Sequence, residues 1–129
     1  MNSEKKVDIL VVEDHPIDLK YMEDILEQID LSVHTCTNGT DALESLLKLK
    51  PRLMILDLNL PDLNGDKVLI KISELMAWSN LSTFIVTGND LTEEDKIKIH
   101  TLGAEKSFCK PVDPTLFRQE IRALFIGDW

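Results

Sequence analysis

Apolar positions along the chain fall into runs of two different periods. Val7–Val12 and Leu53–Leu58 are nearly continuous in hydrophobicity, and Thr83–Thr87 and the shorter Ser107–Cys109 are further apolar, β-branched stretches. Continuity of this kind predicts strands buried on both faces of a parallel sheet. Ser32–Thr37 alternates more and is more polar, which predicts an edge strand.

Between these runs the period becomes helical. Pro16 at a first-turn position opens Ile17–Ile29, where Ile17, Tyr21, Ile25, Leu26 and Ile29 make an apolar stripe. Gly39-Thr40 leads into Asp41–Leu49, with Leu43, Leu46 and Leu47 on one side, and Gly65 precedes Lys67–Trp78, with Val68, Ile72, Leu75 and Met76 in helical spacing. Thr92 with Asp95 predicts a capped helix ending near Leu102, and Gly103 supplies a left-handed stop. Asp113-Pro114 reads as an N-cap followed by proline at N1, with Phe117, Ile121 and Leu124 facing inward. A strand followed by a helix, five times over with short connections, predicts an α/β doubly wound parallel sheet. Neither a linker nor an internal repeat breaks residues 1–129, so one domain is expected.

Composition narrows the function classes. A chain of 129 residues that is 43% hydrophobic and 29% charged suits one folded domain with a substantial core. Its 23 acids against 14 Lys+Arg give a net charge of −9, which counts against direct nucleic-acid binding, where phosphates call for clustered cations. No apolar run approaches the roughly 20 residues that span a bilayer, so membrane insertion is not expected. The N-terminal segment lacks the long apolar region and cleavage site of a signal peptide, so a cytoplasmic location is expected. Cys36 and Cys109 lie far apart without a CxxC spacing and read as buried free thiols. His15, His34 and His100 are scattered singly, with no zinc-type arrangement.

Ligands of open parallel sheets bind outside the carboxyl ends of the strands, so the residues at those ends carry the chemistry. Here they are Glu13-Asp14, Asp57, Thr87-Gly88 and Lys110-Pro111. Three neighbouring carboxylates repel one another unless a cation sits among them. Oxygen ligands, few in number, suit Mg²⁺ better than Ca²⁺. A divalent cation, Lys110, the Thr87 hydroxyl and the Gly88 N–H together form a receptacle for a phosphoryl group, with Asp57 as nucleophile. Each residue also has a plainer reading. Asp57 can be a turn former, Glu13-Asp14 a capping pair, Thr87-Gly88 an ordinary turn and Lys110 a solvated lysine. Four matched strand ends are harder to explain by coincidence.

The ordered set Val11-Val12-Glu13-Asp14-His15-Pro16, Leu56-Asp57-Leu58-Asn59-Leu60-Pro61-Asp62-Leu63-Asn64-Gly65, Val86-Thr87-Gly88, Gly103-Ala104 and Lys110-Pro111 resembles a response-regulator receiver domain over about residues 6–126. The resemblance implies a five-stranded sheet in the order 2-1-3-4-5. It implies that Asp57 accepts a phosphoryl group from a phosphohistidine of a sensor histidine kinase or phosphotransfer protein, with Thr87 and Lys110 completing the catalytic set. By the same resemblance, Asp14, Asp57 and the Asn59 carbonyl hold Mg²⁺ and Glu13 holds it through water. Thr87, Gly88 and Lys110 then bind phosphoryl oxygens, and the Lys110-Pro111 bond is cis. Partners follow in the same way: the first helix docks the kinase, and the face of the fourth and fifth helices contacts a downstream protein target or a second copy.

The sequence departs from that pattern in two places. Glu13 stands where an aspartate is common, and Ser107 occupies the switch position that usually carries Tyr or Phe. Phe108 is adjacent, but strand alternation turns it to the opposite face. Asn59 and Asn89, two residues after the acceptor and after the hydroxyl, can position an attacking water or simply form loops. Two other classes compete. Aspartyl-phosphate hydrolases usually carry D-x-D after the first strand, whereas this chain reads Asp57-Leu58-Asn59 after the third. An adaptor that ignores phosphorylation is kept open by Ser107, and a phosphorelay intermediate by the length, which leaves room for a receiver without an attached output. Leu116, Phe125, Ile126 and Trp129 are expected to leave apolar surface near the C-terminus.

Overall fold

Each of the five apolar runs forms a strand, and each is followed by a helix. The computed structural model describes residues 6–62, 65–75 and 80–126. Its elements run β1 (Ile9–Val12), α1 (Pro16–Leu26), β2 (Val33–Cys36), α2 (Gly39–Leu49), β3 (Leu53–Leu56), α3 (Gly65–Leu75), β4 (Ser82–Thr87), α4 (Glu93–Thr101), β5 (Lys106–Cys109) and α5 (Pro114–Ile126). All pairings are parallel, in the order β2-β1-β3-β4-β5. The doubly wound α/β sheet and its order are therefore as expected. Met76, Trp78 and Trp129, and Leu63 and Asn64 of the loop after β3, lie outside the described residues.

Alternation along the strands divides the core in two. Leu10, Val12, Met54, Leu56 and Ile85 face α2, α3 and α4, where Ala42, Leu46, Val68, Ile72 and Ile99 meet them. Ile9, Val11, Leu53, Ile55, Phe84 and Val86 face α1 and α5, against Met22, Ile25, Phe117 and Ile121. β1 and β3 are buried at every position, as continuous apolar strands between two helical layers must be. β2 is largely exposed and lies at the sheet's edge.

Helix ends follow their local chemistry. Thr92 and Asp95 form a reciprocal capping box at α4, and Gly103 takes φ +117° just beyond the helix, a conformation that side chains with a Cβ rarely adopt. The Asp113 carboxylate accepts from the Leu116 amide at 3.1 Å, capping α5 with Pro114 as its first residue.

Some details differ from expectation. Strand β3 ends at Leu56, so Asp57 and Leu58 belong to the following loop. Helix α1 stops at Leu26 rather than Ile29, and Ile17 is 73% exposed instead of buried in the stripe. Helix α2 starts at Gly39, because Asn38 accepts from the Asp41 amide and the Asp62 carboxylate accepts from the Gly39 and Thr40 amides. Leu47 and Leu75 are exposed, and Ala42 takes an inward position of α2. Near the C-terminus Leu116 and Ile126 are exposed, but Phe125 is half-buried beneath the Arg52 guanidinium, 5.8 Å from its ring centre. Cys36 is buried as expected, whereas Cys109, at the end of an edge strand, is exposed.

Phe117 touches Phe108 and Phe84 edge-on, with ring centres 4.8 and 6.1 Å away. Phe117→Ala is expected to destabilise the fold by about 3–5 kcal/mol in urea unfolding, and Leu116→Ala on the open face of α5 by less than about 0.5. Burial pushes the Cys36 thiol up to about 12, with the Asp41 charge adding to it. A thiol reagent at about pH 8 should therefore label Cys109 and spare Cys36 until the chain is unfolded.

Candidate functional site

The parallel ladder does not stop where the strands end. The Glu13 amide donates to the Cys36 carbonyl at 3.0 Å, the Asp57 amide to Val12 at 3.1 Å, and the Lys110 amide to Thr87 at 2.8 Å. Each is the next rung beyond β1, β3 or β5, so three residues remote in sequence are anchored at the same edge of the sheet. The side chains of Glu13, Asp57 and Lys110 share a face by alternation, the α1 and α5 side, after Val11, Ile55 and Phe108.

Their charges meet there. Lys110 Nζ lies 2.8 Å from Glu13 Oε1, 2.9 Å from Asp18 Oδ2 and 3.5 Å from Asp57 Oδ2. Glu13 also accepts from the His15 amide at 3.1 Å, and Asp57 Oδ1 accepts from the Asn59 amide at 3.1 Å. Burial pushes the Glu13 carboxyl up to about 7, opposed by its hydrogen bond to Lys110 and reinforced by Asp57. Desolvation alone would lower the Lys110 pKa, but hydrogen bonds to Glu13 and Asp18 and the Asp57 charge outweigh it, and the ammonium is held well above its ordinary range. One lysine thus serves three carboxylates, two of them almost wholly buried.

A divalent cation fits this donor set. Glu13, Asp14 and Asp57 each bring one carboxylate oxygen within 4.8 Å of the others, two buried and Asp14 open to solvent. Hard oxygen donors with an open side suit an ion that keeps several waters, as Mg²⁺ does. A second positive charge would relieve the strain on Glu13 that burial beside Asp57 creates.

The remaining residues divide between two faces. Gly88 lies with Glu13, Asp18, Tyr21, Val86 and Lys110 around a cleft of ≈ 380 Å³. A Cβ at Gly88 would meet nothing within 4 Å, so the space beside its Cα is open. Thr87 is completely buried, its hydroxyl accepts from the Asn89 amide at 3.3 Å, and it borders a neighbouring cavity of ≈ 300 Å³ with Asn89, Ser107 and Cys109. Ser107 turns toward α4, and Phe108 packs at 5.5 Å from Phe84 on the opposite face, as alternation requires. The Lys110-Pro111 peptide is cis. Asp18 joins the site without a motif to mark it, its one signal in the chain being an acid in the first turn of a helix that begins beside the acidic pair. Asp62, which the sequence places in the loop motif without a role of its own, ties the loop after β3 to the N-terminus of α2.

Comparison with known proteins is consistent with this geometry. A family model described as the response regulator receiver domain matches residues 9–122. Protein PilH of Pseudomonas aeruginosa is 29% identical over 119 residues, covering 92% of this chain and 98% of that protein. Sensor histidine kinase RcsC of Escherichia coli K12 is 31% identical over 113 residues, 88% of this chain; the chain spans only 12% of the kinase's length. A crystal structure of a CheY-like response regulator receiver domain protein from Methanospirillum hungatei JF-1 superposes with a TM-score of 0.80 at 25% identity, covering 92% of each chain.

Mg²⁺ at millimolar concentration is expected to raise the melting temperature, because an ion bound to the folded state alone stabilises it by mass action. Asp14→Ala should abolish that rise in a thermal scan, and Asp24→Ala, which removes an exposed partner of Lys20, should leave it intact.

Proposed function

The chain belongs to the response regulator receiver domain family, and from that premise we propose that Asp57 is its phosphoryl acceptor. Receiver domains of two-component systems are phosphoacceptor signalling domains that receive phosphoryl groups from histidine kinases. The observation that carries the assignment is the meeting of Asp57 with Lys110 and two further carboxylates at the carboxyl edge of the sheet. In the transfer, the N–P bond of a donor phosphohistidine breaks as phosphorus bonds to a carboxylate oxygen of Asp57. The imidazole leaves and takes a proton from its surroundings. Glu13, Asp14, Asp57 and the Asn59 backbone would hold Mg²⁺, which when bound offsets negative charge on the carboxylates and on phosphoryl oxygens. Lys110 supplies a fixed ammonium beside the acceptor, and the Gly88 N–H and Thr87 hydroxyl supply neutral donors to the same group.

The donor in this reading is a sensor histidine kinase or a histidine phosphotransfer protein, and the output passes by protein contact. The phosphoryl group is then lost by self-catalysed hydrolysis, with Asn59 and Asn89 flanking the site. A second reading, an adaptor indifferent to phosphorylation, draws on Ser107. This serine lines a groove of ≈ 330 Å³ with Ile97, Ile99 and His100 where a larger ring is absent. Binding of a partner equally to both phosphorylation states would favour it.

Incubation with acetyl phosphate and Mg²⁺ should add the mass of one phosphoryl group, and Asp57→Asn or chelation of the metal should prevent it. A gain that persists in Asp57→Asn, or none from a competent phosphohistidine donor, overturns the assignment.

A further inference from the structure

We infer that Asp18 is a positioning residue that competes with the phosphoryl group for Lys110 and so acts as a brake on phosphorylation; the inference rests on Asp57 being the acceptor. An ammonium has three N–H donors, and those of Lys110 are shared among Glu13, Asp18 and Asp57. The short contacts, 2.8 and 2.9 Å, go to Glu13 and Asp18, and the acceptor has the longest, at 3.5 Å. The donor that faces Asp57 is the most distant of the three, so for the ammonium to close on a phosphoryl oxygen there it must move away from Glu13 or from Asp18.

Solvent access decides which contact breaks. The Glu13 side chain is 7% exposed, and releasing it from the lysine would leave a buried carboxylate short of a partner. Asp18 is 39% exposed, so water can replace the lysine at its carboxylate. His15 Nδ1, 3.7 Å from the same Asp18 oxygen, is a second polar neighbour already in place. Asp18 also stands outside the group of Glu13, Asp14 and Asp57 that converges on the cation site. It draws the lysine toward the first turn of α1 and the open cleft. Breaking that contact is a cost carried by the phosphorylated state and by the transition state leading to it.

The step concerned is the attack of the Asp57 carboxylate on phosphorus with loss of the donor's leaving group; for acetyl phosphate the P–O bond to acetate breaks and acetate departs. Asp18→Asn keeps the shape and removes the charge. With acetyl phosphate and saturating Mg²⁺ it should phosphorylate about three- to tenfold faster than the wild type, and bind beryllofluoride tighter by a similar factor. Its Mg²⁺ affinity, measured by calorimetry, should stay within about threefold and its urea midpoint nearly constant, since Asp18 is not among the carboxylates that converge on the cation site and is partly solvated. Asp18→Glu, which retains the charge, should stay within about twofold of the wild type. Glu23→Gln, an equal change in net charge on the exposed side of the same helix, should do the same. A rate for Asp18→Asn within twofold of the wild type, or slower, overturns the inference, as does an equal acceleration in Glu23→Gln or Asp18→Glu. Failure of the wild type itself to incorporate phosphate at Asp57 overturns the acceptor assignment instead, which is a separate result.

Discussion

Parallel hydrogen bonding that continues one residue past β1, β3 and β5 is the constraint on which the site depends. A parallel ladder spaces its bonds evenly, so once Val12 and Leu56 are in register their successors are too. Glu13 and Asp57 are held by carbonyls of neighbouring strands, and Lys110 by the carbonyl of Thr87. Backbone geometry, rather than side-chain attraction, brings together carboxylates that would otherwise repel. The buried apolar runs beneath them supply the stability that this arrangement draws on.

Charge balance at that edge rests on Lys110. Burial of Glu13 in a medium of low polarity disfavours its ionised form, and the ammonium opposes this from 2.8 Å. Its hold on Asp18 extends the network to α1, so the first turn of that helix is linked electrostatically to the end of β5. The Tyr21 hydroxyl, donating to the Val112 carbonyl at 2.9 Å, spans the same two segments. The helix beside the cleft is therefore bound to the loop that carries the lysine.

Alternation along the strands separates the chemistry from the face around α4. Glu13, Asp57 and Lys110 follow the residues that pack on α1 and α5, whereas Thr87 and Ser107 border cavities beside α4. Thr87 is the residue adjoining both regions, since its neighbour Gly88 opens into the cleft. At Ser107 a hydroxymethyl group occupies a position beside a groove, and the ring of the next residue, Phe108, is committed to Phe84 and Phe117 on the far side of the sheet. Position 107 therefore places a hydroxyl, not a ring, beside the cavity that Thr87 borders.

Much of this was legible in the chain. The near-continuous runs at residues 7–12 and 53–58 marked central strands, because a strand covered on both faces favours apolar side chains at every position. The polar run at 32–37 marked an edge, and Thr92, Gly103 and Asp113 marked helix ends through local backbone chemistry that needs no distant partner. The carboxyl ends of those strands singled out Glu13, Asp14, Asp57, Thr87, Gly88 and Lys110, since strand order limits where a parallel sheet exposes reactive groups. Tertiary structure alone decided what periodicity cannot express. Ile17 has helical spacing yet is exposed, and of two cysteines that both end edge strands Cys36 is buried in the core while Cys109 is exposed. Asp62 caps a helix more than twenty residues earlier in the chain, and Asp18 holds a lysine near the other end of it. Such contacts depend on the distance between side chains after the sheet closes, and a linear pattern records spacing along the chain, not through space.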